Sequence, residues 1–444
     1  MFKDSKLILM LALPSILSFA TVTLTGTISL IMVGQLGALV IAVVGVSNII
    51  MYNAWAIFSG TGLTVNYLVA QNYGAGELKK AVERTYIALY FCIAVAVLLV
   101  IAGFYAPGAV LRLMGGSHEL IEAGEFYLRI RFFAMTFSVA SFVLQGFFRG
   151  IGDTRTPLFL AIAGNAAMVF FTYTLTYGHL GFPKLGLPGA GWAFFIGEAL
   201  IFLGSLYVFF VRLHARFGTR SRVAVSRPEL RLIITESGKL GVQEFATSAA
   251  MFVFTMFVTR LGTSALASNE VALNVMSFGF MPAFAFSATA TILVGQAIGR
   301  GDPLQARKYG TETAILGSIF LLTLGTFEFF LADRIAHIYT SDPQVQELAA
   351  RLIRVSAFLQ LFDGLYNFYA GGLRGIGDTT FMVKASFLIN WVIFVPLAYV
   401  LTFMLDMGSM GTWVALYTFL AIYGMAMLIR FYRTDWLQVQ MRKA

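Results

Sequence analysis

The chain has 444 residues, of which 58% are hydrophobic and 12% charged, and its mean hydropathy is +0.80. Soluble domains carry about 25% charged residues, so this composition excludes an ordinary soluble protein. The single cysteine, Cys92, excludes a disulfide framework and a cysteine metal site.

Long apolar runs recur along the whole chain, and runs of about 20 apolar residues predict membrane-spanning helices. The first run follows Lys3 and Lys6 and lacks a small-residue cleavage site, so we expect a retained helix rather than a signal peptide. Splitting the sequence at charges and at Gly/Pro clusters gives twelve helices and predicts an all-α integral membrane protein. The predicted spans are residues 7–32, 39–70, 82–105, 121–147, 157–177, 190–212, 232–258, 264–294, 308–331, 346–372, 381–405 and 410–431.

The basic residues are distributed unevenly between the two sides of these spans. If the N-terminus is cytoplasmic, the inside segments hold 22 of the 31 Lys and Arg residues and the outside connections hold only 4. This asymmetry predicts that both termini lie in the cytoplasm. The basic connection HARFGTRSRVAVSRPELR, residues 214–231, is then a cytoplasmic linker between an N-terminal lobe, 1–213, and a C-terminal lobe, 232–444. Its charge, and the net charge of +9, indicate lipid contact and topology, with no nucleic acid as partner.

The two halves contain the same motifs at a constant offset. RGIGDT at 149–154 recurs 225 residues later at 374–379. The same offset relates VGQLG at 33–37 to VTRLG at 258–262, VAQNYGAG at 69–76 to VGQAIGRG at 294–301, and Asn165 to Asn390. Because each half has six spans, both halves enter the membrane from the same side. We therefore predict parallel lobes related by a pseudo-twofold axis along the membrane normal, with the substrate site in the cleft between them.

RGIGDT itself lacks the lysine and the preceding strand of a phosphate-binding loop. Its glycines favour a structural turn before the next helix. The alternative is a gate, in which Asp153 or Asp378 pairs with a basic residue when the cytoplasmic side closes.

These motifs, in this order and doubled, resemble the multidrug and toxic compound extrusion (MATE) family over essentially the whole chain. The resemblance implies a V-shaped pair of six-helix lobes that alternates between inward- and outward-facing states. It implies export of amphipathic, mostly cationic organic compounds in exchange for Na⁺ or H⁺, with no cofactor besides the coupling ion. We expect a monomer in the cytoplasmic membrane that is surrounded by lipid and has no enzyme activity.

Two other functions stay open at this point. A flippase for lipid-linked oligosaccharides belongs to the same superfamily, although more spans and a strongly cationic cavity are expected of one. A channel or receptor without ion coupling is the third reading, which the internal duplication disfavours.

A carboxylate inside the bilayer is costly and therefore indicates function. Asp363 lies eleven residues before Arg374, about 16 Å along a helix and near the middle of the bilayer. By the resemblance, it matches the family's tenth-helix aspartate at the cation site. The alternative is a buried carboxylate held by local hydrogen bonds. Tyr366, three residues later on the same face, is a candidate hydroxyl ligand.

Glu244 lies near the middle of the seventh span. The family's glutamate normally falls three residues later, where this chain has Thr247. Because the two positions share a helix face, we expect Glu244 and Thr247 to belong to the cation site, with Na⁺ possible at Asp363 and Glu244. The alternative for Glu244 is a carboxylate in water at the rim of the cavity.

Four polar residues are candidates for substrate binding. Glu198 lies inside the sixth span, where it can meet a cationic substrate, and Gln243 adjoins Glu244. Asn165 and Asn390 occupy matching positions in the two halves, where each is either a helix-packing group or a cavity ligand. Glu270 is expected near the outer interface as a solvated helix-end charge.

The N-terminal half departs from the family pattern. Many prokaryotic members have an aspartate on the first helix and another on the fifth, where this chain has Ser29 and Val169. A proton-driven bend of the first helix at Pro14 is therefore not expected from carboxylates at these two positions.

Overall fold

The computed structural model describes residues 4–114, 116–339 and 342–443, without the side chains at 263, 264, 266, 267, 270 and 339. Within these ranges the chain forms helices and connecting turns, with no β-strand. The first half contains α1 (Ser5–Gly34), α2 (Ala38–Gly74), α3 (Leu78–Tyr105), α4 (Pro107–Leu113), α5 (His118–Gly150), α6 (Arg155–Tyr177), α7 (Leu187–Tyr207) and α8 (His214–Phe217). The second half contains α9 (Arg227–Thr259), α10 (Thr263–Gly299), α11 (Pro303–Tyr339), α12 (Pro343–Ile376), α13 (Thr379–Phe387), α14 (Val395–Tyr399) and α15 (Gly408–Arg433).

Wider π-helical turns and two short 3₁₀ helices complete the secondary structure of these ranges. The π-helical turn Val208–Arg212 extends α7. Two further π-helical turns, Leu388–Phe394 and Val400–Met404, continue α13 and α14 as one helix, Thr379–Met404. The 3₁₀ helices are His179–Gly181 and Trp436–Gln438.

Eleven helices in the described part of the chain are long and apolar enough to cross a membrane, and they coincide with eleven of the twelve predicted spans. The remaining span corresponds to α12, which has 34 residues. Its mean hydropathy is lowered by Gln360, Asp363 and Asn367 near its centre. The predicted all-α membrane fold is therefore confirmed.

The chain divides into two compact units by its internal contacts. The N-unit consists of Leu17–Tyr73 and Glu77–Gly241, and the C-unit of Met1–Ile16, Gly74–Gly76 and Val242–Lys443. The beginning of α1 thus packs with the second half of the chain, and the beginning of α9 with the first half. The lobe boundaries at 213 and 232 stay a prediction.

Buried ionic contacts hold the beginning of α9 within the N-unit. Glu229 accepts a hydrogen bond from Arg84 Nε on α3 at 2.9 Å and lies 2.6 Å from Lys80 Nζ. Two helical turns further along, Glu236 accepts a hydrogen bond from the Tyr67 hydroxyl on α2 at 2.8 Å. Arg84 is only 1% exposed, so its charge depends on Glu229 for compensation.

The C-unit contains a related contact at the beginning of α1. Asp4 accepts hydrogen bonds from Lys308 Nζ at 3.1 Å and from Gln305 Nε2 at 3.2 Å, both on α11. The 225-residue offset places Asp4 at the position that corresponds to Glu229. In both units, an acidic residue at the start of one half's first helix is bound by the third helix of the other half.

Small residues allow α2 and α9 to pack closely within the N-unit. A Cβ atom on Gly60 would lie 2.2 Å from the Ser237 carbonyl oxygen, and one on Gly241 would lie 2.1 Å from the Ile57 carbonyl oxygen. Larger side chains at either glycine would separate the helices, and small residues are what close packing in a membrane requires.

The two RGIGDT copies form turns with different contacts. In the first, Asp153 caps α6, because its Oδ1 accepts from the Thr156 amide at 3.0 Å and its Oδ2 from the Thr156 hydroxyl at 2.6 Å. In the second, Asp378 accepts from Arg430 Nε on α15 at 2.7 Å. The motif is therefore a helix-capping turn in one copy and the site of an ion pair in the other.

Candidate functional site

Asp363 lies on the buried side of α12, where its side chain is held by its own helix. It is 7% exposed, and its Oδ2 accepts a hydrogen bond from Asn367 Nδ2 at 3.2 Å. The same amide nitrogen donates to the Asp363 carbonyl at 2.9 Å, which fixes the orientation of Asn367. Among the described side chains, no Lys, Arg or His pairs with Asp363. A carboxylate without a counter-charge in a membrane helix is stable when it is protonated or holds a cation.

Asp363 belongs to a polar stripe along α12, which consists of Ser356, Gln360, Asp363 and Asn367. All four are buried, and their spacings of four, three and four residues place them on one helix face. Sequence reasoning singled out Asp363 but missed Gln360 and Asn367. The helical spacing of the polar residues was the signal that could have found them.

Four predicted site residues come together beside this stripe. Gln243 Nε2 on α9 donates to the Tyr366 hydroxyl on α12 at 3.2 Å. Asn390 Nδ2 donates to Thr247 Oγ1 at 3.3 Å and to Ser386 Oγ at 3.1 Å. These five residues, Gln243, Thr247, Tyr366, Ser386 and Asn390, are called the amide cluster below. Ser386 was not predicted.

Two oxygen atoms of the amide cluster have no hydrogen-bond partner in the described part of the chain. They are Gln243 Oε1 and Asn390 Oδ1, and both residues are fully buried. Buried amide oxygens are normally satisfied. Carbonyl and amide oxygens are also ligands that hard cations accept, so these two atoms can bind a cation or an N–H donor of a substrate.

The helix geometry around Asn390 follows from a nearby proline. Asn390 lies in the π turn Leu388–Phe394, and its carbonyl accepts from the amide of Val395, five residues later. Pro396 comes next, and a proline in a regular helix removes a hydrogen bond and collides with the preceding turn. The wider turn relieves this collision, and such turns occur frequently at functional sites.

The carboxylate of Glu244 lies near a basic residue of α12. Its side chain is 22% exposed, and Oε1 lies 4.0 Å from Arg374 Nη2. Among the described side chains no hydrogen bond or ion pair joins Glu244 to Asp363, and no group of three or more His, Cys, Asp or Glu residues could hold a metal ion. A Na⁺ ion at Asp363 and Glu244 stays a prediction.

Asn165 makes the N-unit's counterpart of the Asn390 contact. Its Nδ2 donates to Thr21 Oγ1 on α1 at 3.2 Å, as Asn390 donates to Thr247 on α9. In both halves an asparagine of the fifth span thus bonds to a threonine of the first. These two matching contacts show the internal repeat in the folded structure.

An open-sided cavity of about 550 Å³ lies between α1 and α6 in the N-unit, and Leu24, Ile162, Phe170 and Tyr173 in its lining are exposed. Asn165 and Val169 both line it, and none of the lining side chains is charged. Its lining residues are Thr21, Leu24, Thr25, Ile28, Met32, Ile162, Asn165, Ala166, Val169, Phe170 and Tyr173. The absence of a carboxylate at Val169 therefore leaves this cavity largely apolar.

Glu198 does not line that cavity. It lies on α7 beside Ser138 and within electrostatic reach of Arg131, both on α5. Arg131 also stacks over the Phe194 ring at 3.9 Å. Glu198 and Asn165 therefore lie in different surroundings of the N-unit, and the side chain of Glu270 lies outside the described residues.

The family model named MatE matches residues 14–174 and, a second time, residues 240–400. The chain belongs to the MATE family. The two matches fall in the two halves, which is what the internal duplication predicts. Family membership makes the chain a multi-span membrane transporter and not an enzyme.

Known MATE proteins are similar to this transporter over most of its length. The probable multidrug resistance protein NorM of Thermotoga maritima is 26% identical over 84% of this chain and 80% of its own. The multidrug resistance protein PmpM of Pseudomonas aeruginosa is 28% identical over 92% and 87%. The crystal structure of MATE in the straight conformation has a TM-score of 0.88 at 19% identity, over 96% of this chain and 94% of that one. The shared fold is therefore established at low sequence identity.

Proposed function

We propose that this MATE transporter exports amphipathic, mostly cationic organic compounds in exchange for Na⁺ or H⁺. It works by alternating access as a monomer in the bacterial cytoplasmic membrane, with both termini inside. The similarity to NorM and PmpM supports multidrug export, and the uneven distribution of basic residues supports the orientation. The observation that carries ion coupling is Asp363, a buried carboxylate whose described partner is an amide rather than a cation.

Ion exchange requires that ion and substrate favour different conformations. A charged, empty Asp363 is tolerated where water reaches it and is costly where the site is dry. Binding of H⁺ or Na⁺ removes this cost and allows the dry conformation. A cationic substrate can remove the same cost, so ion and substrate compete for one negative charge. This competition couples entry of the ion to export of the substrate.

The neighbouring residues supply the remaining interactions in this proposal. Sodium needs several oxygen ligands, which the unpartnered oxygens of Gln243 and Asn390 and the hydroxyl of Tyr366 can provide, whereas a proton needs only the carboxylate. Glu244 lies within electrostatic reach of Tyr366, and Thr247 accepts a hydrogen bond from Asn390, so both are neighbours of these ligands. In the N-unit, Glu198 and Asn165 are the proposed polar contacts for substrate.

The apolar cavity of the N-unit suits the hydrocarbon part of an amphipathic compound. The rings of Phe170 and Tyr173 in its lining can also attract a cationic group.

The test is efflux of a fluorescent cationic dye from proteoliposomes, first under an imposed Na⁺ gradient and then under an imposed H⁺ gradient. Wild type should export the dye under at least one gradient, and Asp363→Asn under neither. The control is Glu347→Gln on the same helix, because Glu347 is 70% exposed and pairs with Arg351 at the surface. Equal efflux by wild type and Asp363→Asn would remove Asp363 from the mechanism, and no efflux by wild type would contradict the proposed function.

A further inference from the structure

A second carboxylate is buried in the C-unit without a described cationic partner. Glu328 on α11 is 5% exposed, and its Oε2 accepts a hydrogen bond from Gln360 Nε2 on α12 at 2.8 Å. Gln360 is fully buried and belongs to the same polar stripe as Asp363, one helical turn away. Glu328 is therefore joined through one amide to the helix face that carries the coupling carboxylate.

The neighbouring helices offer no charge that compensates Glu328 among the described side chains. Residues 271–299 of α10 include no ionisable residue. The nearest basic residue on α11 is Arg334, six residues after Glu328, and its side chain is exposed. On α12, Arg354 binds Asp333. Lys308 and Glu312 lie more than four turns away along α11. An ionised Glu328 would thus be stabilised by Gln360 alone.

The contact lies within the membrane-spanning part of α12. Gln360 precedes Arg374 by fourteen residues, or about 21 Å along a helix. Two glycines leave room for it: a Cβ atom on Gly279 would lie 1.9 Å from Gln360 Oε1, and one on Gly325 would lie 3.0 Å from Gln360 Nε2. Gln360 is therefore enclosed between α10 and α11.

The hydrogen bonds of Gln360 favour a proton at Glu328 over a metal cation. Gln360 Nε2 donates to Glu328 and also to the Ala357 carbonyl at 2.9 Å. Because both neighbours of this nitrogen are acceptors, the NH₂ group must face Glu328. An N–H group cannot bind a cation, and Na⁺ would need several oxygen ligands. The amide oxygen Gln360 Oε1, which has no partner in the described part of the chain, lies against Gly279 of α10, whereas Nε2 faces Glu328. A carboxylate needs only one proton to become neutral.

We propose that Glu328 is a second proton-binding carboxylate of the C-unit, held by Gln360 on the α12 face that also carries Asp363. A proton from water converts the Glu328 carboxylate to the carboxylic acid, and the same proton returns to water when the site is hydrated in the opposite conformation. Loss of this proton places a negative charge of α11 next to the α12 face that carries Asp363, and a second like charge in the same region opposes ionisation of Asp363. The role in transport rests on the proposed function, whereas proton binding by Glu328 does not.

Infrared difference spectroscopy of the purified full-length protein between acidic and alkaline pH tests the binding step. The readout is the carbonyl stretch of a protonated carboxylic acid. Asp363→Asn should retain the Glu328 contribution to this band, and the double variant Asp363→Asn/Glu328→Gln should lose it. Glu347→Gln, introduced into Asp363→Asn in the same way, is the control that should leave the contribution in place. An identical band in Asp363→Asn and in the Glu328 double variant would overturn the proposal.

A folding defect is distinguished by Glu328→Asp, which keeps a carboxylic acid and should keep a band at a changed frequency. Dye efflux under a proton gradient then tests the role in transport: Glu328→Gln should lose proton-driven accumulation and keep dye binding. Unchanged proton-driven accumulation in Glu328→Gln would overturn that role. Failure of the proposed function would appear separately, as absent efflux in wild type with the infrared result intact.

Discussion

Arg84 and Glu229 are 145 residues apart in the chain and 2.9 Å apart in the structure, where they join α3 to the first turn of α9. Asp4 and Lys308 repeat this relationship between α11 and the residue before α1, at 3.1 Å. Each half of the chain thus secures the beginning of the other half's first helix. The contacts lie at the beginnings of α1 and α9, the parts that pack with the other half of the chain.

Arg84→Ala should strongly destabilise the N-unit. The substitution leaves the carboxylate of Glu229, on a residue 7% exposed, with Lys80 as its remaining cationic partner, and breaking a buried pair costs about 3–5 kcal/mol. Thermal unfolding of the purified protein in detergent measures the effect. The control is Arg351→Ala, because Arg351 and Glu347 are 64% and 70% exposed and such a pair contributes at most about 1 kcal/mol. Similar losses in the two variants would contradict the buried-pair interpretation.

Gly60→Ala should destabilise the contact between α2 and α9. The added Cβ would lie 2.2 Å from a backbone oxygen, and overpacking of this kind costs about 1–3 kcal/mol. Gly45→Ala is the matched control on the same helix, since no atom lies within 4 Å of its Cβ position. There the substitution should be neutral or stabilise the helix by about 0.5–1 kcal/mol. Thermal unfolding should therefore rank Gly60→Ala below wild type and Gly45→Ala at or above it.

The spans and the duplication could be predicted because both leave a direct pattern in the sequence. Apolar runs identify the helices, and a constant offset identifies the repeat. Asp363 could be placed by counting along one helix from Arg374. The pairing of Arg84 with Glu229 could not be predicted, because the two residues are far apart in the chain. In the sequence, Arg84 is one of the 22 basic residues assigned to the inside segments, and nothing local distinguishes it from the others.

Glu328 was missed for a different physical reason. The ninth span was predicted to end at residue 331, which placed Glu328 within one turn of the membrane edge. The structure continues α11 to Tyr339, beyond the apolar run, so Glu328 lies further inside the helix. The burial of the Glu328 side chain also depends on packing by the neighbouring helix α12. The contact with Gln360, which shows this packing, cannot be read from the sequence. Helix ends that extend past the membrane cannot be read from hydropathy alone.

Asn367→Leu should weaken ion coupling without removing the Asp363 carboxylate. Asn367 donates a hydrogen bond to that carboxylate, and a bond to a charged group contributes about 1.5–3 kcal/mol. We therefore expect the coupling ion concentration for half-maximal dye efflux to change by about 10- to 100-fold. Thr418→Val on α15 is the control, since its exposed hydroxyl bonds only to its own helix. An unchanged ion dependence in Asn367→Leu would show that Asn367 does not position Asp363 for ion binding.

The two repeat-related asparagines should differ in their effect on binding. Both donate to a threonine of the first span, so replacing either by leucine removes one helix-packing bond. Asn390 additionally presents a buried oxygen that has no partner in the described part of the chain, and Ser386 joins Asn390 to Gln243 by hydrogen bonds. Asn390→Leu should therefore weaken binding of the coupling ion or a cationic dye by about tenfold or more, beyond the effect of Asn165→Leu on the same measurement. Dye-binding titrations with and without Na⁺, run on both variants after a stability check, compare the two positions directly. Equal losses would mean that the asparagines act only as packing groups, and the unpartnered oxygen of Asn390 would then have no role in ligand binding.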